Sequence, residues 1–124
     1  MAEVTVTICT TCRAGMDPDA KGTRPGARLH AAVTKAGLPE GVSIREVECL
    51  SACSRGCSMV IEGGPARWTY IYGDMDPDLH VPQILEGITA YSTTKDGIVP
   101  WRERPEVFRK QSIARIPPKE PLVD

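Results

Sequence analysis

Five cysteines fall into two groups, Cys9 with Cys12 in "CTTC" and Cys49, Cys53 and Cys57 in "ECLSACSRGC". Thiolate sulfur is a soft ligand suited to iron–sulfur clusters and to structural zinc, and four thiolates complete a [2Fe–2S] centre by giving each tetrahedral iron two protein sulfurs. A Cys-x-x-Cys by itself also fits a dithiol redox pair or half of a zinc site. Cysteines spaced by four could instead line a buried stripe of helix as small apolar residues. Gly56 and the serines around it argue against three turns of helix at that point.

The composition narrows the chemistry. A chain of 124 residues, 41% hydrophobic, is long enough for one domain with one small core. Fifteen Lys and Arg against sixteen Asp and Glu leave a formal charge of −1, so no bulk field selects nucleic acid or an anionic membrane as partner. No apolar run approaches the ~20 residues that span a bilayer, and "MAEVTVTIC" lacks the basic start and long apolar core of a signal peptide. A cytoplasmic location is the expectation. Thiols are kept reduced there, so an odd number of cysteines points to metal or redox chemistry more than to a disulfide scaffold.

The elements that must hold the thiols are legible from patterning. Val4 to Ile8 is a β-branched run that delivers Cys9 at the end of a strand. After a loop rich in Gly, Pro and Asp, the spacing of Leu29, Ala32, Val33 and Ala36 predicts a helix over Ala27 to Ala36, stopped at Gly37. Val42, Ile44 and Val47 predict a second strand that again ends at a cysteine. Met59 to Ile61, the Gly63-Gly64-Pro65 turn and Trp68 to Tyr72 predict a hairpin. Asp76-Pro77 reads as an N-cap followed by a first helical residue, opening a helix to about Tyr91.

The order β, α, β, β, β, α implies a small α/β domain over residues 1–92, with a mixed sheet covered by two helices. Residues 93–124 are proline-rich and basic and read as an extended C-terminal tail, packing on the domain or on a partner, with a short helix at Pro105 to Gln111.

The strand ending at Cys9, "VECLSACSRGCSMVI" with the hairpin after it, "WTYIYGD" and the Pro-started helix resemble the thioredoxin-like [2Fe–2S] ferredoxins and the related subunit of respiratory complex I. In those proteins a first cysteine pair follows strand one, and a C-x3-C pair in a Cys-Leu-Gly-x-Cys context precedes the hairpin. Cys49-Leu50-Ser51-Ala52-Cys53 matches that context with Ser in place of Gly. "CTTC", "ECLSAC", "RWTYIYGD", "DGIVPWRERP" and "ARIPP" further resemble a bacterial family of predicted metal-binding proteins, DUF1636-like, over nearly the whole chain.

What this resemblance implies is a [2Fe–2S] cluster, with Cys9 and Cys12 on one iron and Cys49 and Cys53 on the other. The ferredoxins usually separate the first pair by more than the two residues found here. Cys57 stands where they commonly have proline, and it is the alternative to Cys12 as fourth ligand. Thr10, Thr11, Ser51 and the "SRG" amides are candidate hydrogen-bond donors to cluster sulfur, and Arg13 and Arg55 would offset its negative charge.

Other candidates are weaker. His30 and His80 stand apart from the cysteines, and Asp74, Asp76 and Asp78 suit helix capping better than a calcium loop. Trp68, Tyr70 and Tyr72 alternate and so share one strand face, which suits core packing and permits a homodimer or partner face. No nucleotide-binding or hydrolytic motif occurs.

The leading expectation is therefore a non-enzymatic electron carrier between redox partner proteins. Its alternative is a zinc- or cobalt-binding or delivery protein, since the resemblance extends to a family some of whose members are linked to cobalt and cobalamin metabolism. A thioredoxin-like dithiol oxidoreductase using Cys9 and Cys12 ranks third, because it leaves three cysteines unexplained.

Overall fold

The computed structural model describes residues 4–9, 25–47, 57–64 and 66–118. Among these residues five strands, β1 (Val4–Cys9), β2 (Val42–Val47), β3 (Met59–Glu62), β4 (Thr69–Tyr72) and β5 (Ser112–Ile116), form one mixed sheet in the order β2-β1-β3-β4-β5. Strand β1 (Val4–Cys9) lies beside the parallel β2 (Val42–Val47), and the crossover between them runs through helix α1 (Pro25–Ala36). On its other side β1 pairs antiparallel with β3 (Met59–Glu62), which pairs in turn with β4 (Thr69–Tyr72) across the anticipated hairpin.

Strand β1 is flanked by strands on both sides, and that position suits its β-branched sequence: Val4, Val6, Ile8 and Cys9 are all essentially buried. Helix α1 packs on β1 and against the second helix, α2 (Val81–Ser92), so both helices cover the same face of the sheet. Leu29 and Val33 of α1, four residues apart, and Ile84 and Ile88 of α2, likewise four apart, are the fully buried stripes. Val6, Ile61 and Tyr70 stand opposite one another in neighbouring strands and share that face. By the same alternation Thr5, Thr7 and Cys9 project to the other side.

Helix α1 starts two residues earlier than its apolar spacing indicates, because Pro25 fits a first helical turn where its missing N–H is not needed. It stops as expected: Gly37 takes φ +90°, a conformation that glycine reaches without strain.

Helix α2 begins later than expected. The Asp76 carboxylate accepts the N–H groups of Asp78 (2.7 Å) and Leu79 (3.0 Å), which closes a turn over residues 77–79. The helix proper opens at Val81, placing Pro82 in its first turn. Proline is tolerated there, because the N–H it lacks would have no partner within the helix.

Beyond α2 the chain returns to the sheet. Helix α3 (Glu106–Lys110) lies where a short helix was anticipated, and Phe108 and Val107 sink into the core. The extended stretch that follows contains β5 (Ser112–Ile116), which pairs antiparallel with β4 as an edge strand. The aromatic alternation of β4 is core packing: Tyr70 stacks on Tyr72 at 5.9 Å, Tyr72 meets Phe108 at 4.5 Å, and Tyr70 meets the edge of Tyr91 at 6.4 Å. Arg104 lies over the rings of both Tyr70 and Trp101 and donates from Nε to the Val99 carbonyl at 2.7 Å. Among the described residues no helix is long and apolar enough to cross a membrane.

Candidate metal centre

Two of the five cysteines lie among the described residues, and the fold brings their backbones together. Cys9 ends β1 and is 1% exposed, while Cys57 precedes β3 and is fully buried. The β1–β3 ladder pairs Ile8 with Met59. One step further along, the N–H of Cys9 donates to the carbonyl of Ser58 at 3.2 Å, so the residue next to Cys57 is hydrogen-bonded to Cys9.

The parallel pairing of β1 with β2 sets Val47 opposite Cys9. Val47 precedes Cys49 by two residues, so β2 carries the chain to the thiol end of β1 just before the second cysteine group, and Cys57 marks its return. Cys12, Cys49 and Cys53 lie outside the described residues, as do Thr10, Thr11, Ser51, Arg13, Arg55 and the "SRG" amides. Among the described residues no three His, Cys, Asp or Glu side chains gather to hold a metal ion. The donor chemistry fits a soft metal centre nonetheless, since two buried sulfur-bearing residues stand at one end of the sheet where both cysteine-bearing segments arrive.

Residues 73–76 complete this end of the molecule. Met75 donates its N–H to the carbonyl of Cys57 at 3.0 Å and accepts the Cys57 N–H at 3.4 Å, a two-way backbone bridge. Its side chain is 1% exposed, unusual for a residue set between two aspartates. Asp74 takes a left-handed conformation, φ +55°, to make the turn. The sequence reading missed this segment; a lone methionine inside "GDMDPD" was the signal that the loop folds inward.

The histidines occupy structural positions. The His80 Nδ1 accepts the Asp76 N–H at 2.9 Å beside the start of α2, and His30 lies on α1. Asp78 meets Arg28 at 3.0 Å in an exposed ion pair worth little to stability. A small cavity between β4, α2 and α3, walled by Tyr70, Tyr72, Gly87, Tyr91 and Phe108, has room for little more than a water molecule. The Tyr70 hydroxyl there has no hydrogen-bond partner among the described residues. Burial holds the Tyr72 phenol well above its ordinary range, with Tyr70 adding to the effect, and burial does the same for Tyr91.

The five-stranded mixed sheet with its helices on one face is the fold of the thioredoxin-like [2Fe–2S] ferredoxins. A structure of such a ferredoxin from Aquifex aeolicus superposes with a TM-score of 0.61, at 17% identity, over 97% of this chain and 99% of that one. A second structure of the wild-type thioredoxin-like [2Fe–2S] ferredoxin from Aquifex aeolicus gives 0.56 at 18% identity, over 92% and 99%. Within that fold the chain belongs to the DUF1636 family, described as a protein of unknown function, which it matches over residues 6–118. No curated protein sequence matches it.

Proposed function

We propose that this protein is a one-electron carrier that holds a [2Fe–2S] cluster on Cys9, Cys12, Cys49 and Cys53, with Cys57 as the alternative to Cys12, and exchanges electrons with partner redox proteins. The observation that carries this reading is the arrival of both cysteine-bearing segments at one sheet end, with Cys9 opposite Val47 and hydrogen-bonded to Ser58. The likeness in fold to proteins that bear such a cluster supports it.

When bound, the cluster supplies the redox chemistry. The chain's own contribution is rigid presentation. Cys9 is held by a strand paired on both sides, and its burial keeps water from the ligand sulfur. The bridge from Cys57 to Met75 closes one flank of the site with backbone hydrogen bonds.

A dithiol oxidoreductase fits less well. An attacking thiol must be reachable by its substrate, and Cys9 is 1% exposed. The proposal is tested by anaerobic titration with dithionite, followed by electron paramagnetic resonance. A [2Fe–2S] carrier takes up about one electron per chain and becomes paramagnetic. A protein that binds zinc alone takes up none.

A further inference from the structure

The loop that bridges to Cys57 is itself held from the far end of the chain. Gln111 caps the C-terminus of α3, its N–H donating to Val107 at 3.0 Å. Its carbonyl accepts the Gly73 N–H at 3.0 Å. Its side-chain amide, oriented so that the nitrogen faces acceptors, donates to the carbonyls of Gly73 at 2.9 Å and Asp74 at 3.0 Å. One residue therefore makes three hydrogen bonds to two consecutive residues, and the second of these is the non-glycine residue at φ +55°. Such a conformation persists where its surroundings over-determine it. The next residue, Met75, makes the two-way bridge to Cys57, and Ser58 accepts the Cys9 N–H.

From this continuous path we infer that Gln111 is a positioning residue for the thiol site: it fixes the turn at Gly73 and Asp74 and thereby seats Met75 against Cys57. The C-terminal segment is then a working part of the site, since Gln111 ties the end of α3 to the Cys57 flank. The functional meaning of this device rests on the thiolate-centre reading above, but the hydrogen-bond path does not.

Two substitutions separate donation from packing. Gln111→Glu keeps the shape and turns the two-bond donor into a charged acceptor facing two carbonyls. Gln111→Ala removes the side chain. A donor role makes Gln111→Glu at least as harmful as Gln111→Ala, whereas a packing role makes the isosteric change nearly silent.

The readout is amide hydrogen exchange on the protein as purified, with alkylation of Cys57 followed by mass spectrometry. The expected result is exchange at Met75 and Cys57 at least about tenfold faster in Gln111→Glu, which loses both side-chain hydrogen bonds to residues 73 and 74. Cys57 alkylates faster as well, and the β1 amides of Val6 and Thr7 are unchanged. Unchanged Met75 exchange, a uniform rise across the sheet, or Gln111→Ala proving the worse variant would overturn the inference. Because these readouts need no cluster, a failure of the electron-carrier reading appears separately, as absent iron and sulfide.

Discussion

The backbone N–H of Cys9 donates to the carbonyl of Ser58, one residue beyond Cys57, across 3.2 Å. This bond makes the end of β1 and the start of β3 a single rigid corner, and it holds the first cysteine of one group beside the last cysteine of the other. Substitution should therefore sort the five thiols. Cys49→Ser and Cys53→Ser are expected to lose the cluster, and Cys57→Ser to keep the visible spectrum. A colourless Cys57→Ser protein beside a coloured Cys12→Ser protein would make Cys57 the fourth ligand.

Phe108 packs onto the bare backbone of Gly87, where an added methyl carbon would lie 2.4 Å from the ring. Gly87→Ala must displace that ring and is expected to cost about 1–3 kcal/mol, and Phe108→Ala about 3–5 kcal/mol. The two should couple in a double-mutant cycle, because the alanine methyl can occupy space that the ring vacates. Strict additivity in denaturant unfolding would contradict this contact.

Deleting residues 93–124 removes Val99, Val107 and Phe108 from the core and strips β5 from the edge of β4. The truncated chain is expected to be insoluble or to lack a cooperative thermal transition by circular dichroism. A soluble, cooperatively melting truncation would show that the remaining core suffices.

The buried phenols of Tyr72 and Tyr91 have folded-state pKa values raised above the ordinary value of 10.0. An unfolded chain loses these protons first, so stability is fully present below about pH 10 and falls as pH rises beyond it. For Tyr72 the slope is about 1.4 kcal/mol per pH unit. Ultraviolet absorbance should show these two phenols ionising together with loss of near-ultraviolet circular dichroism. Ionisation at the ordinary phenol value in a protein that stays folded would contradict their burial.

Local signals carried much of this architecture. The β-branched run at Val4 to Ile8, the spacing of Leu29 and Val33, and the Gly63-Gly64 turn each have a physical cause that acts over a few residues, and each element stands where its signal lies. Two features depended on distant partners. Strand β5 becomes a strand by pairing with β4, some forty residues earlier, and its own exposed sequence carries no alternation to announce it. Likewise Met75 and Gln111 join the thiol end only because the sheet places residues 57, 73 and 111 together. The start of α2 was misplaced for another reason: Asp76 does cap N–H groups, but those of a turn that precedes the helix. The assignment of Cys12, Cys49 and Cys53 as ligands falls outside the described residues.

Whether the thiols hold a [2Fe–2S] cluster is read most simply from the visible absorption spectrum of anaerobically purified protein, with iron, sulfide, zinc and cobalt measured on the same sample. A cluster-bearing chain gives broad absorption that bleaches with dithionite, at about two irons and two sulfides per chain. A colourless protein holding zinc or cobalt, or one that stays free of iron and sulfide after reconstitution, would contradict the cluster assignment.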